Sequence, residues 1–222
     1  MLRRVIVPPF VNGIEEGAVE RLIDGYRRFR GGHWPEYRDL YKELSKGQKP
    51  PVLVIACSDS RVDPAVIFDA QPGEMFVVRN VANLIPPAEK GEGQHGTSAA
   101  LEFAVRVLKV GMILVLGHGD CGGVGAALRG MPLDDFEYLD DWIGLIQPAL
   151  ARLGDLDRQT PEAKEALEQE SIKLSLERLM TFPFVAKAVE AGSLTLEGAR
   201  FRVFDGRLEW LDKAAGAFNR VS

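Results

Sequence analysis

Val52-Leu53-Val54-Ile55-Ala56-Cys57-Ser58-Asp59-Ser60-Arg61 carries an apolar run straight into a polar cluster. The run is short, continuous and rich in β-branched residues, the form of a strand buried on both faces. Met75-Phe76-Val77-Val78 and Met112-Ile113-Leu114-Val115-Leu116 have the same form. Between them, 97–110 reads as a crossover helix, with Leu101, Ala104, Val105 and Leu108 on one side and Thr97 or Ser98 as N-cap. Strands alternating with helices predict an α/β fold around a central, mostly parallel β-sheet with flanking helices. In such sheets ligands sit beyond the carboxyl ends of the strands, where the strand order switches. Cys57 and His118 fall at two of those ends, so residues distant in sequence can meet at one site.

Working outward, Val19, Leu22, Ile23, Tyr26 and Phe29 fall at helical spacing on one face, and Gly31-Gly32 breaks that element. Trp34, Tyr37, Leu40, Tyr41 and Leu44 form a second stripe that ends near Gly47. Residues 1–50 therefore read as an N-terminal helical arm whose apolar faces are either core or the seat of a partner subunit. The stretch 131–160 is acidic, with Asp134-Asp135 and Asp140-Asp141, and reads as surface helix and loop. A long helix over 162–180 stops before Pro183, and a shorter one over 184–191 is closed by Gly192. Arg202-Val203-Phe204, Asp205-Gly206 and Arg207-Leu208-Glu209-Trp210 give a hairpin signal and predict an antiparallel C-terminal edge strand. At 222 residues the chain reads as a single domain, 1–222, with an α/β core over 51–130 and C-terminal helices and edge hairpin over 131–222.

A net charge of -5 and the lack of a basic stripe with interleaved aromatics argue against a nucleic-acid partner. Arg3-Arg4 and Arg27-Arg28 read as solvated faces. No stretch approaches the ~20 apolar residues of a membrane span, and the opening run is too short and proline-interrupted for a signal peptide. With 2 cysteines there is no disulfide framework. A reduced, cytoplasmic setting is the expectation.

The chemistry gathers in the two strand-end clusters, Cys57-Ser58-Asp59-Ser60-Arg61 and His118-Gly119-Asp120-Cys121-Gly122-Gly123. Two thiolates and one imidazole make the Cys₂His set of a catalytic zinc with an open fourth position. Asp59 can fill that position, or pair with Arg61 and leave it to water. Cys121 opens a helix through 124–128, and a helix N-terminus favours the thiolate that binds metal. Gly122 and Gly123 leave main-chain N–H groups accessible beside it. The blander alternatives are buried cysteines acting as small hydrophobes, an Asp–Arg pair capping a turn, and glycines serving a tight bend. Gly117-His118-Gly119-Asp120-Cys121-Gly122 also spells the dinucleotide fingerprint Gly-x-Gly-x-x-Gly. No strand ending in an acid follows ~20 positions later, which leaves an oxidoreductase as a remote reading. His33 and His95 lie in glycine-flanked stretches and read as surface histidines rather than proton relays.

These clusters, with Gln71-Pro72-Gly73-Glu74-Met75-Phe76-Val77-Val78-Arg79-Asn80-Val81-Ala82-Asn83 between them, resemble the β-class carbonic anhydrases. The resemblance runs from about residue 40 to 211 and is densest over 48–128. It implies a zinc lyase that hydrates carbon dioxide reversibly to bicarbonate. One zinc per chain would be held by Cys57, His118 and Cys121, with Asp59 on or off the metal, and a hydroxide nucleophile would be oriented by Asp59 and Arg61. It further implies that Gln48 hydrogen-bonds substrate across a dimer interface, that Phe76 and Val81 wall the pocket, and that Gly122 contacts substrate. Phe103 departs from the plant-like branch, which often has tyrosine there, and Arg79 belongs to the family's Arg-Asn pair as a structural charge. A second branch inhibits itself at a bicarbonate site built on a tryptophan and a tyrosine; Val54 and Phe201 stand there, so that site is expected to be missing. The expected assembly is a homodimer or higher homo-oligomer. Carbon disulfide or carbonyl sulfide hydrolysis, or a closed non-catalytic zinc site, remain as alternatives on the same fold.

Overall fold

Three consecutive apolar strands form one half of the sheet, and their connections create the switch that the sequence leads one to expect. The computed structural model describes residues 17–89, 95–132 and 135–222; Arg3, Arg4 and Asp134 lie outside these. Strand β1 (Val52–Cys57) is parallel to β2 (Met75–Asn80) on one side and to β3 (Met112–His118) on the other. The sheet order is β2-β1-β3-β4-β5-β6. The chain therefore leaves β1 to one side and returns on the other, which opens a crevice at the carboxyl ends of β1 and β3. Ala56 pairs with Leu116 and Cys57 with Asn80, so Cys57 and His118 project from nearly the same level.

Both faces of β1 and β3 are covered, whereas β2, at the sheet edge, has no fully buried residue. Leu53, Ile55, Ile113 and Val115 pack with Leu101, Ala104 and Val185. These last come from α4 (Gly96–Glu102), the π-helical turns that continue it (Phe103–Leu108), and α9 (Pro183–Glu190). Val54, Ala56, Leu114, Leu116 and Ala199 form the opposite face. The cap of α4 differs from expectation. His95 takes the N-cap position without a side-chain bond, and the Thr97 hydroxyl instead accepts from Asn80 Nδ2 at 3.3 Å.

The C-terminal half holds more sheet than a single edge hairpin. β4 (Thr195–Phe201) runs parallel to β3, and β5 (Leu208–Asp212) and β6 (Ala217–Arg220) follow antiparallel. Residues 202–207 are the connection, not the first strand, with Gly206 at φ 70°. Glu197, Gly198 and Arg200 interrupt the apolar signal of β4. Gly198 is required by packing, since a Cβ there would lie 2.9 Å from Ile172 Cγ2.

The acidic stretch is also less superficial than its composition suggests. After α3 (Pro64–Ile67) and α5 (Gly122–Arg129), it forms α6 (Leu139–Gly144) and α7 (Gln147–Ala151). Asp140 and Asp141 face solvent, while Ile143, Ile146, Ala149 and Leu150 enter the core around Cys57 and Cys121. Helix α8 (Pro161–Leu179), capped by the Thr160 hydroxyl, packs beside them and buries Glu168, Ser171 and Ser175 among apolar neighbours.

Residues up to Gly47 form a unit separate from Gln48–Ser222. Its described residues form α1 (Ala18–Gly31) and α2 (His33–Leu44), neither of which has a buried residue. Trp34 stacks on Tyr41 with ring centroids 5.3 Å apart, and Phe29 meets both rings edge-on. Among the described residues, no helix is long and apolar enough to cross a membrane.

Candidate functional site

The crevice brings together Cys57 at the end of β1, His118 at the end of β3 and Cys121 at the N-cap of α5. All three are buried, and their sulfur and ring-nitrogen atoms lie within 4.8 Å of one another. The two sulfurs are 4.0 Å apart. Tetrahedral bonds of ~2.3 Å from one zinc ion would set two sulfurs ~3.8 Å apart, so the spacing suits a shared metal.

The loop between the ligands is held at each peptide. Gly119 N–H donates to Phe201 O at 2.8 Å. Asp120 has a left-handed φ of 59°, which lets Cys121 turn back into the helix start. His118 Nδ1 lies 2.9 Å from Gly119 O. A carbonyl only accepts, so Nδ1 carries the hydrogen and Nε2 points its other lobe into the site. That Nε2 is buried without a hydrogen-bond partner among the described residues. An orphaned imidazole nitrogen facing two thiols is the donor set of a metal site, and the residues present fit one.

Electrostatics agree. The hydrogen bond between the two sulfurs holds Cys57 well below the ordinary thiol value while burial opposes it. His118 and the N–H groups of Asp59 and Ala82 add to the stabilisation of its thiolate. Ala82 adopts a left-handed φ of 63°, as does Asn83 after it at 48°. The side chain of Asn80 holds this turn, accepting from Leu84 N–H at 2.8 Å and donating to Leu84 O at 2.9 Å. The same hydrogen bond and burial push Cys121 up, against the N–H groups of Gly123 and Val124. Burial works against a protonated His118, but the neighbouring Cys57 thiolate outweighs it and raises the imidazole's basicity. A cation in this position would take the place of that hydrogen bond and stabilise both thiolates.

Asp59 is paired with Arg61 as a fork. Arg61 Nε donates to Oδ1 at 2.9 Å, Nη2 to Oδ2 at 2.7 Å, and the Arg61 main-chain N–H to Oδ1 at 3.0 Å. These bonds from Arg61 hold the carboxyl of Asp59 well below the usual carboxylate range. Arg61 Nη2 also donates to Asp120 O at 3.0 Å, tying the first cluster to the second. Arg79 fixes the turn from beneath, donating to Cys57 O, Asp63 Oδ2 and Asp59 O at 2.7–2.9 Å.

Of the remaining expected site residues, Val81 and Gly122 join the crevice. Val81 is 40% exposed, and a Cβ on neighbouring Gly123 would lie 3.1 Å from its Cγ1. Gly122 opens α5 with nothing within 4 Å of a built Cβ. Phe76 lies elsewhere in the same chain: it pairs with Leu53, four residues before Cys57, and its ring is 5.8 Å from that of Phe103. Gln48 is exposed ahead of β1 and makes no hydrogen bond with the described residues. His95 borders an 810 Å³ surface cleft with Glu102 and Arg106, away from the thiols. Two contributors had no motif to announce them: the main-chain N–H of Ala82, and Glu168, which accepts from Asp120 N–H at 2.8 Å.

Residues 52–208 match the carbonic anhydrase family. A carbonic anhydrase of Pseudomonas aeruginosa is 38% identical over 198 residues, 89% of each chain. Beta carbonic anhydrase 3 of Arabidopsis thaliana is 36% identical over 200 residues, 86% of this chain and 76% of its own. Among solved structures, the β-carbonic anhydrase CcaA superposes with a TM-score of 0.84 at 33% identity, over 91% of this chain and 99% of that one. A tetrameric β-carbonic anhydrase of Sordaria macrospora gives 0.77 at 28% identity, over 89% and 98%.

Proposed function

The chain belongs to the β-class carbonic anhydrases, and from that premise we propose that it hydrates carbon dioxide reversibly at one zinc per chain held by Cys57, His118 and Cys121. The observation that carries this reading is the orphaned Nε2 of His118 facing two thiols at metal-ligand spacing. Zinc, when bound, supplies a Lewis acid that brings the pKa of water down toward neutrality.

The residues of the chain supply direction. Asp59 Oδ1 already accepts two N–H groups and is saturated, whereas Oδ2 accepts one and keeps a lone-pair site. Oδ2 is therefore the atom that accepts a hydrogen bond from the attacking water and aims its remaining lone pair at the carbon. The Arg61 fork keeps Asp59 ionised and held to the guanidinium; with the fork open, the carboxylate would be free to turn toward the ion that Cys57, His118 and Cys121 would hold. Carbon dioxide is apolar and the product is an anion, so the pocket needs an apolar wall and a donor. Val81 serves as the first and the Gly122 N–H, in the first turn of α5, as the second.

Phe76 and Gln48 contribute from a second copy of the chain, because within one chain Phe76 lies four strand steps, ~13 Å, below the level of Cys57. The exposed apolar residues of α1, with Val19, Leu22 and Tyr26 each more than 60% exposed, suit a subunit interface. A homo-oligomer follows, as in the tetrameric relative.

Stopped-flow carbon dioxide hydration and zinc stoichiometry measured on the same sample test the proposal. The expected result is one zinc per chain and hydration that disappears, with the zinc, in Cys121→Ser. Full zinc content in that variant would overturn the ligand set, and a zinc-loaded wild type without hydration would overturn the function.

A further inference from the structure

Glu168 is a carboxylate buried to 3% exposure in the middle of α8, and the chemistry above makes no use of it. Its Oε1 accepts the Asp120 N–H at 2.8 Å. The other end of that same planar peptide unit, Gly119 O, accepts the Nδ1–H of His118 at 2.9 Å. The two bonds lie in series through one amide: imidazole to carbonyl, amide to carboxylate. A peptide polarised by an anion at its N–H is a stronger acceptor at its carbonyl. A metal-ligating histidine is commonly oriented by a carboxylate or a carbonyl on its far nitrogen; here the carbonyl comes backed by a carboxylate.

The carboxylate is itself locked. Its Oε2 accepts from Arg200 Nε at 2.9 Å and Nη2 at 2.7 Å. Arg200 Nη1 reaches Glu209 at 2.8 Å and Glu165 at 3.3 Å. A buried ion pair of this kind adds little net stability over a well-packed apolar pair, so its use is better sought in what it positions. Downstream of the same amide, Asp120 O accepts from Arg61 Nη2, so the turn that Glu168 holds also sets the register of the Asp59–Arg61 fork.

We infer that Glu168 is a positioning residue for the metal site, fixing the orientation and donor strength of His118 through the Gly119–Asp120 peptide, with Arg200 as its anchor. This rests on the reading that Cys57, His118 and Cys121 hold zinc, and its tests do not depend on hydration.

In Glu168→Gln the side chain keeps its shape and loses its charge. Zinc should still bind, but chelator competition should show an affinity lower by ~10–100-fold, the usual effect of losing such a partner. The visible bands of the cobalt-substituted protein should shift with the altered imidazole. Glu165→Gln and Glu209→Gln face the same guanidinium without touching Asp120, and should keep wild-type affinity and spectrum. The triple variant Glu168→Met/Arg200→Met/Glu209→Met removes the three buried charges together, leaving only half-exposed Glu165 to water, and should fold while losing affinity to the same degree. Hydrogen exchange on the unsubstituted zinc protein adds a reading that requires no variant: the Asp120 amide should be among the most protected outside helices and strands. Wild-type affinity and cobalt spectrum in either Glu168 variant, equal losses in Glu209→Gln, or exchange of the Asp120 amide at the rate of an open loop would each overturn the inference. A wild type that holds no zinc would instead overturn the metal reading beneath it.

Discussion

Replacing Arg61 by alanine removes both guanidinium bonds to Asp59 and the bond to Asp120 O, and leaves only the main-chain N–H on Oδ1. A buried hydrogen bond to a charged group contributes ~1.5–3 kcal/mol, whereas an exposed ion pair contributes under ~1 kcal/mol. The Asp59 side chain is 18% exposed and that of Arg61 46%, so the fork falls between these limits, at ~2 kcal/mol. At 1.4 kcal/mol per decade, that is a shift of about 30-fold toward an Asp59 free to turn onto the metal. Hydration by Arg61→Ala should therefore fall by up to about that factor near neutral pH while zinc content stays at wild type. Arg61→Lys, a point charge without the fork, should fall between the two. The pair also predicts an acid effect of definite sign. Arg61 holds the folded-state carboxyl of Asp59 below its unfolded value of ~3.9, so the pair's stabilisation is present above that value and is lost as pH falls toward the folded one. Arg61→Ala lacks that stabilisation and should begin acid unfolding at higher pH, followed by far-UV circular dichroism. Stopped-flow rates paired with metal analysis decide the main point. A metal-loaded Arg61→Ala protein with wild-type hydration would remove the fork from the mechanism.

Gly117→Ala would place a Cβ 2.6 Å from Cδ1 of Ile172, which is fully buried and cannot retreat, so the variant should lose ~1–3 kcal/mol. Thermal denaturation reads this, and an unchanged Tm would show that α8 shifts freely against β3. Bicarbonate should not inhibit cooperatively, because Arg79 already commits Nε, Nη1 and Nη2 to its own chain, Val54 is buried without a donor, and Phe201 has no hydroxyl. A pH–rate profile at fixed ionic strength that steepens beyond one proton and moves upward with bicarbonate would refute it. Light scattering on the zinc-loaded protein should find at least a dimer, and a fully active monomer at micromolar concentration would refute both the interface and the role of Gln48 across it.

The sequence makes β1 and β3 legible because strands covered on both faces must be apolar throughout, and that pattern survives without context; β2, at the sheet edge, shows itself by the run Met75–Val78 although none of its residues is fully buried. β4 pairs with β3 along its whole length, yet Glu197, Gly198 and Arg200 break its pattern: Glu197 accepts from Trp210 and Lys213, Gly198 makes room for Ile172, and Arg200 answers buried Glu168. Each of those residues is explained only by a neighbour far away in sequence. The acidic stretch was misleading for the opposite reason. Asp140 and Asp141 dominate its composition while Ile143 and Ile146, a few residues on, do the packing.

The same division runs through the site. In the proposed site Cys57, His118, Cys121, Asp59 and Arg61 would act through side chains whose chemistry is written in their residue type, and their strand-end positions bring them together. The groups that tune them act through the main chain. Ala82 helps to lower the Cys57 thiol with an N–H that any residue possesses, from a turn in which it adopts a left-handed φ. Glu168 reaches His118 only through the amide of Asp120, again at a left-handed residue. A peptide group's direction depends on backbone angles that neither alanine nor aspartate favours intrinsically, so no motif reports it. These angles persist because the Asn80 side chain clamps one turn and the Glu168–Arg200 pair clamps the other. On the proposed reading Asn80 and Glu168 therefore belong to the site along with the residues that would hold the metal, and substitutions there should show first in how tightly metal is held.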